Sequence, residues 1–421
     1  MRPKIKILPS GLRIVMIPMR DNPTVTVMTL VSTGSEYETQ KISGISHFLE
    51  HMCFKGTTKR PSAFAITHEL DALGSQSNAF TSQEVTGYYA KSQAKHFSKL
   101  VDIVSDVYLN STFPETEMQK EKGVVIEEMN MYEDMPIRRV QEYFLSLVYG
   151  DQPAGRSIIG TKDTVRAISR DDLIAYHKAH YVGGGTVIVV AGDLPSDAQK
   201  QIIHAFKGIR ESKKPKKKKV IDTQTGPHVS VTEKDADQAH MVFGVRTHKI
   251  GHKDNITLAI ISSLLGGGMS SRLFQKLREE MGVAYYVYAS NEASTDHGVF
   301  KISAGVDKNR IEEVLKVFVI ACKNLTQETV DAKELRKVKD FLIGNMKLGF
   351  EGSEAIASHF GEQVIFNQPI QGVNDIARKI EKVTVEDIKR VAQKIFVTKH
   401  MNLALLAPKA DKKVLMSLLQ F

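Results

Sequence analysis

The chain has 421 residues, more than one typical hydrophobic core holds, so we expect at least two domains. Hydrophobic residues make up 42% and charged residues 25%, which is typical of globular proteins, and no run reaches the roughly 18 apolar residues of a membrane helix. The two cysteines are too few for a disulfide framework. The net charge of +9 raises the question of whether the protein binds nucleic acid.

The first predicted elements are two strands. Residues 1–11 contain no apolar core of a signal peptide, so we expect a cytoplasmic protein. Residues 12–18 and 24–31 alternate between apolar and polar side chains and are rich in β-branched residues, a pattern that predicts β-strands.

A short helix is predicted next, between Gly44 and Gly56. His47 and His51 lie one turn apart on it and face the same way, so both imidazoles can bind one metal ion, and zinc favours such ligands. Glu50 lies beside the pair, where a general base for a metal-activated water belongs. The order H-x-x-E-H is the reverse of the common metalloprotease motif. Few other ligands lie nearby, which favours a catalytic over a structural site.

The following segment predicts a helix capped by Ser62 and a turn over Gly74–Thr81 that leads into a strand at 84–90. A buried helical face follows at 97–108, and a further helix is predicted over 115–132. This last helix carries Glu121, Glu127 and Glu128. Residues seven apart share a helix face, whereas Glu127 points about 100° away. We expect an oxygen ligand here, but spacing alone does not choose between Glu127 and Glu128.

The second half of the chain predicts a diverged copy of the first. A helix capped by Ser169 precedes an apolar strand at 187–191, and the same pattern returns 215 positions later with Thr384 as the cap. No H-x-x-E-H motif occurs in the second copy. We therefore predict an amino-terminal domain over residues 1–211 that binds the metal, a linker over 212–227, and a homologous carboxy-terminal domain over 228–421.

The predicted linker contains six lysines within Lys213–Lys219, which hold much of the net positive charge. Such runs are usually solvated, and no arginine–aromatic pattern accompanies this one, so we expect no nucleic-acid partner. Further along, Gly266–Gly268 predict a helix end and turn. Arg278 and Tyr285 flank another turn at Gly282 and offer a cation and a hydroxyl that could bind a peptide carbonyl or a developing oxyanion.

Taken together, these motifs resemble the pitrilysin/insulinase family of zinc peptidases, and within it the short-chain branch with the β-subunit of the mitochondrial processing peptidase. The resemblance covers nearly the whole chain. It rests on the segments His47–Thr57, Asn78–Thr81, Glu121 with Val124–Met129, Tyr181, Ser271–Gln275, Arg278 and Gly282–Tyr285.

The resemblance implies one Zn²⁺ per chain, held by His47, His51 and Glu128, and so selects Glu128 over its neighbour. It implies that Glu50 is the general base and that Glu121 is a carboxylate that supports the ligands. A peptidase with this site cleaves unfolded peptides or presequences through a water activated by zinc.

For the substrate, the resemblance implies that Arg278 and Tyr285 act from the second half of the chain. It also implies an edge strand to which the peptide adds as a further strand. This strand comprises Asn78, Ala79, Phe80 and Thr81. Gly74–Ser77 depart from the paired glycines usual before it.

The implied fold class is α+β, with two homologous domains that each pack helices on an antiparallel sheet. Short-chain members pair with a second chain, so we expect a homodimer or a heterodimer with a homologous chain. The alternative function is that of a non-catalytic partner or structural core subunit of the same fold. Such chains generally lose the motif, whereas this sequence retains all of it.

Overall fold

The computed structural model describes residues 2–420 and divides them into two compact units. The first unit comprises the chain up to Asn130, Arg156–Lys218 and Leu348–Gly372. The second comprises Met131–Gly155, Lys219–Lys347 and the chain from Val373 onward. Each unit contains one β-sheet with helices packed on it, which confirms the predicted α+β class.

The strands are short and mostly buried. In chain order they are β1 (Lys4–Ile7), β2 (Arg13–Pro18), β3 (Thr24–Val31), β4 (Gln76–Thr81), β5 (Thr86–Gln93), β6 (Thr186–Gly192), β7 (His228–Glu233), β8 (Gln238–Arg246), β9 (Ala284–Ala293), β10 (Gly298–Asp307) and β11 (Met401–Ala407).

The helices connect and cover these strands. In the first half they are α1 (Ile45–Cys53), α2 (Ala63–Ala72), α3 (Phe97–Leu109), α4 (Glu115–Glu133), α5 (Pro136–Tyr149), α6 (Lys162–Ala167), α7 (Arg170–His180) and α8 (Ala198–Ala205). In the second half they are α9 (Asn255–Gly266), α10 (Arg272–Phe274), which continues as a π-helix over Gln275–Glu280, α11 (Ile311–Gln327), α12 (Ala332–Gly349), α13 (Ser353–Ile365), α14 (Val373–Lys382), α15 (Val385–Ile395) and α16 (Lys412–Leu418). Within residues 2–420, no helix combines the length and apolar character needed to cross a membrane.

The sheet of the first unit has the strand order β1-β2-β6-β3-β5-β4. Neighbouring strands are antiparallel except β2 and β6, which are parallel. Strand β4 lies at the edge, and its residue Ala79 pairs with Tyr88 of β5. The residue pattern predicted a turn over Gly74–Thr81; that prediction is wrong from Gln76 onward, because these residues pair with β5. The edge strand implied by the resemblance is present.

The sheet of the second unit has the strand order β7-β11-β8-β10-β9. Apart from β1, this repeats the order of the first sheet, and its one parallel pair, β7 with β11, corresponds to β2 with β6. The helices before the central strands also match. Ser169 and Thr384 each accept a hydrogen bond from the backbone of an aspartate three residues on, forming identical capping boxes. The chain therefore contains a structural duplication, as predicted.

The predicted contiguous domains and the observed units differ by an exchange of helices. Helix α5 comes from the first half, but its residue Phe144 packs with Val242 and Ala404 in the core of the second unit. Helix α13 comes from the second half, and its residue Phe360 packs with Val189 in the core of the first unit. Each unit therefore uses a helix from the other half of the chain.

The lysine run also differs from the predicted free linker. The Lys217 side chain is only 9% exposed and forms ion pairs with Glu36 and Glu84, whose side chains are 1% and 5% exposed. Lys214 donates a hydrogen bond to Ser32 Oγ at 2.8 Å. Because a buried carboxylate requires a cation or several donors, these two lysines are packed parts of the first unit. The prediction of a solvated linker is wrong at these positions. It holds for the exposed lysines, Lys213, Lys216, Lys218 and Lys219.

Candidate active site

Helix α1 is held rigidly at its amino terminus. Gly44 precedes it with φ +93°, and a Cβ at this position would lie 2.6 Å from the Ile159 carbonyl oxygen, so glycine is required. The Glu38 carboxylate accepts hydrogen bonds from the backbone N–H groups of Gly44 and Ser46 at 2.7 and 2.8 Å. A carboxylate at a helix amino terminus is favourable, although burial raises the pKa of Glu38 to about 7. Buried apolar side chains, among them Phe48, fix the rest of the helix.

The two histidines of α1 meet Glu128 of α4. Their ring centroids are 4.5 Å apart, and Glu128 Oε2 lies 3.5 Å from His47 Nε2 and 3.6 Å from His51 Nε2. Tetrahedral zinc with ligand bonds of about 2.0–2.1 Å separates its ligand atoms by roughly 3.3 Å. The donor set of two imidazole nitrogens and one carboxylate oxygen, at these separations, therefore fits a zinc ion. The neighbouring Glu127 is exposed and interacts with Asn130 instead.

The Glu121 carboxylate lies behind His51. Its Oε1 is 2.8 Å from His51 Nδ1, and its Oε2 is 2.6 Å from Lys55 Nζ. Burial would raise the pKa of Glu121, but these hydrogen bonds and charges outweigh burial and lower it. An ionised carboxylate at Nδ1 places the ring proton there and leaves Nε2 as the ligand atom. The Glu121 contact therefore fixes the orientation of the His51 ring, with Nε2 facing Glu128.

Glu50 is largely buried beside the histidines. Burial raises its pKa, and Glu128 contributes to the rise, while a hydrogen bond from Thr81 and the charge of His51 oppose it. The Thr81 hydroxyl donates to Glu50 Oε2 at 2.7 Å. A raised pKa brings a carboxylate closer to the neutral range in which a general base works best. Thr81 was predicted only as part of the substrate strand, and no spacing rule links it to a residue 31 positions earlier.

The edge strand β4 presents its outer side without a neighbouring strand among residues 2–420. Asn78 is exposed, and its side-chain oxygen accepts a hydrogen bond from the Ala79 N–H. Ala79, Phe80 and Thr81 are partly exposed. An edge of this kind offers backbone donors and acceptors at the spacing that an added strand requires.

Arg278 and Tyr285 are brought together within the second unit. The Arg278 guanidinium donates a hydrogen bond to the Tyr285 carbonyl oxygen, across the turn at Gly282, where φ is +63°. Tyr285 lies at the start of β9, and its side chain is 61% exposed. The residue therefore does not fill a core position.

With this geometry established, the similarity of the chain to known proteins is informative. The family model described as Insulinase (Peptidase family M16) matches residues 13–162, and the model described as Peptidase M16 inactive domain matches residues 167–342. A Bacillus subtilis protein named "Uncharacterized zinc protease YmxG" is 34% identical over 405 residues, which cover 96% of this chain and 97% of the relative. The chain belongs to the insulinase family, peptidase family M16. This confirms the resemblance at the level of the family.

Further proteins are similar to this chain over comparable lengths. "Uncharacterized zinc protease ML0855" of Mycobacterium leprae is 33% identical over 412 residues, covering 97% of this chain and 92% of the relative. A crystal structure of a protease from Helicobacter pylori superposes with a TM-score of 0.91 at 25% identity, covering 97% of this chain and all of that one. A Pseudomonas fluorescens structure titled as a peptidase M16 inactive domain has a TM-score of 0.89 at 18% identity, covers 97% of this chain and 99% of that one, and supports the fold alone.

The match to the inactive-domain model covers only residues that follow the metal motif in the chain. It begins after residue 166, whereas His47, Glu50, His51, Glu121 and Glu128 all precede that position. The match to the inactive domain therefore describes a part of the chain without the metal motif, and it does not bear against the residues of that motif.

Proposed function

We propose that the chain is a zinc-dependent endopeptidase that cleaves unfolded peptides. The observation that carries this proposal is the convergence of His47, His51 and Glu128, with Glu50 next to the second histidine. Membership of a peptidase family and relatives named as zinc proteases support metalloprotease chemistry. The substrate class rests on the physical argument that follows.

Zinc held by these three ligands would acidify a water molecule and polarise the carbonyl of the scissile bond. Glu50 would act as the general base, accepting a proton from the attacking water as the water oxygen bonds to the carbonyl carbon. The carbon–nitrogen bond then breaks, and Glu50 returns the proton to the leaving nitrogen.

The preference for unfolded substrates is inferred from strand β4. A peptide that adds to this edge must be extended and must offer its own backbone N–H and C=O groups. In a folded protein most of these groups are already paired. Strand β4 ends at Thr81, which contacts Glu50, so an added peptide runs directly past the general base.

We further propose that the enzyme works as a homodimer or as a heterodimer with a homologous chain, as implied by the short-chain branch. Mass photometry of the purified chain at assay concentration is expected to detect dimers if the partner is a second copy. A monomer that gains activity only when a homologous chain is added would favour the heterodimer.

The decisive experiment combines metal analysis with cleavage-site mapping on a mixture of unfolded peptides, using Glu50→Gln as the control. The wild-type chain is expected to contain about one zinc ion and to cut within peptides. Glu50→Gln should keep the zinc but lose about 10²–10⁴-fold or more in turnover. A Glu50→Gln variant with near wild-type turnover would refute this mechanism. A wild-type chain that binds zinc and cleaves none of the peptides would favour a non-catalytic partner role.

A further inference from the structure

Thr81 belongs to the predicted substrate strand and Glu50 to the predicted metal motif. These two features are separate in the sequence, but their side chains are in direct contact in the structure. Thr81 is the last residue of β4, and its hydroxyl donates a 2.7 Å hydrogen bond to one carboxylate oxygen of Glu50 on α1. In the part of the chain that the structure describes, no other side chain donates a hydrogen bond to this carboxylate. Oxygen Oε2 is thus held by Thr81, which fixes the orientation of the carboxylate.

The pleat of the strand fixes the direction of the Thr81 side chain. Neighbouring residues of a strand point to opposite faces of the sheet. Phe80 packs with the core that includes α13, and its ring lies over Gly87, where a Cβ would come within 2.4 Å of the ring. Because Phe80 is held on that face, Thr81 must point to the opposite face, toward α1.

The turn that follows Thr81 is also tightly held. Ser82 exchanges hydrogen bonds with Val85 within the turn. The backbone N–H groups of Ser35 and Glu36 donate to the carbonyl oxygens of Ser82 and Gln83, at 3.2 and 2.9 Å. Lys217 adds a 2.8 Å ion pair with Glu84, the next residue of the turn. The Thr81 hydroxyl is therefore preorganised by backbone contacts rather than by Glu50 itself.

We propose that Thr81 is a positioning residue that holds the Glu50 carboxylate in the orientation needed for proton transfer. This inference rests on the proposed peptidase function. Without the hydroxyl, Glu50 is free to rotate about its side-chain bonds, and the fraction of molecules with a correctly aimed oxygen falls. The loss should appear in kcat rather than in KM, because the substrate-binding edge of β4 keeps its backbone.

The test compares Thr81→Val, which keeps the side-chain shape without the hydroxyl, with Thr81→Ser, which keeps the hydroxyl. Thr86→Val is the matched control, because Thr86 pairs with Thr81 across β4 and β5 but donates to the Thr33 carbonyl oxygen. For each variant, zinc content, Tm, kcat and KM are measured on one fluorogenic peptide.

Thr81→Val is expected to lower kcat by about tenfold or more at unchanged zinc content, since small misplacements of reacting groups cost up to about 10²-fold. Thr81→Ser should restore most of kcat, and Thr86→Val should lower Tm with little change in kcat. In a Glu50→Gln background, Thr81→Val should have no further effect. A wild-type kcat in Thr81→Val, or a rise in KM alone, would overturn the inference and leave the proposed function intact. An active Glu50→Gln variant would instead refute the proposed function.

Discussion

The two units share one sheet topology but place different side chains at equivalent positions. In the first unit, the helix after the central strand β3 is α1, which carries His47, Glu50 and His51. In the second unit, the helix after the corresponding strand β8 is α9, which contains no histidine, cysteine or acidic residue. Most of α9 is buried among apolar neighbours, including Leu258 and Ile261.

This difference shows that the duplicated scaffold does not by itself create a metal site. Both helices are fixed by apolar packing on their sheets, and both sheets keep the same parallel strand pair. The candidate site adds His47, Glu50 and His51 on α1 and Glu128 on α4, and the ligand atoms of the two histidines and Glu128 lie within 4.8 Å of one another. The two units therefore differ in a few side chains placed on a repeated frame, and a shared fold does not by itself imply a shared function.

The largest effect is expected from removing the third ligand, which would make the first unit resemble the second. Glu128→Gln should reduce zinc occupancy strongly and abolish most activity, because the amide is a poor ligand compared with a carboxylate. Glu127→Gln is the matched control, since Glu127 is exposed and one position away. Metal analysis of the two purified variants checks the assignment. Zinc loss in Glu127→Gln with full occupancy in Glu128→Gln would reverse it.

A second test asks whether the unit without the metal motif takes part in catalysis. If the Tyr285 hydroxyl donates to the developing oxyanion, Tyr285→Phe should lower kcat by about 10²-fold or more with a smaller change in KM. Because this side chain is 61% exposed, Tm should not change. Arg278→Ala should weaken substrate binding as well.

Tyr288→Phe provides the control for this test, because Tyr288 is a second exposed tyrosine of β9 and its hydroxyl accepts a hydrogen bond from Gln141. Its kinetics should be close to wild type. If the kcat and KM of Tyr285→Phe are as close to wild type as those of Tyr288→Phe, the Tyr285 hydroxyl takes no part in the reaction.

The sequence predicted the features that follow local rules. The i, i+4 histidines, the shared face of Glu121 and Glu128, and the repeated caps at Ser169 and Thr384 all depend on residues near one another in the chain. The sequence missed contacts between distant residues. The exchange of α5 and α13 between units and the Thr81–Glu50 hydrogen bond depend on tertiary packing, for which these segments carry no local signal.

The lysine run illustrates the same limit and provides a third test. Lys217→Met keeps the apolar part of the side chain but leaves Glu36 and Glu84 buried without this cation. Removing one partner from a buried ion pair typically costs about 3–5 kcal/mol. Lys218→Met is the control, because Lys218 is exposed and adjacent. Chemical denaturation should show a large loss of stability for Lys217→Met alone. Equal stability of both variants would mean that the segment is a free linker after all.

The smallest effect is expected at the two capping boxes. The test asks whether these equivalent caps contribute equally to stability as well as sharing one geometry. Ser169 Oγ accepts a hydrogen bond from the Asp172 N–H at 3.1 Å, and Thr384 Oγ1 accepts one from the Asp387 N–H at 3.2 Å. Each aspartate carboxylate in turn accepts a hydrogen bond from the backbone N–H of its cap residue, at 2.9 and 3.1 Å. Ser169→Ala and Thr384→Ala should each cost about 1 kcal/mol, because both leave one helix N–H without its acceptor.

Each variant should therefore lower the hydrogen-exchange protection of its own helix. The opening equilibrium of that helix should rise by a similar factor in both, about fivefold. Native-state hydrogen exchange at α7 and α15 measures each effect separately, even if the two units unfold in separate steps. Ser169→Ala should leave exchange in α15 unchanged, and Thr384→Ala should leave exchange in α7 unchanged. If one cap costs several times more than the other, the duplicated capping boxes are equal in geometry only. The surrounding packing, which differs between α7 and α15, would then determine their energetic contribution.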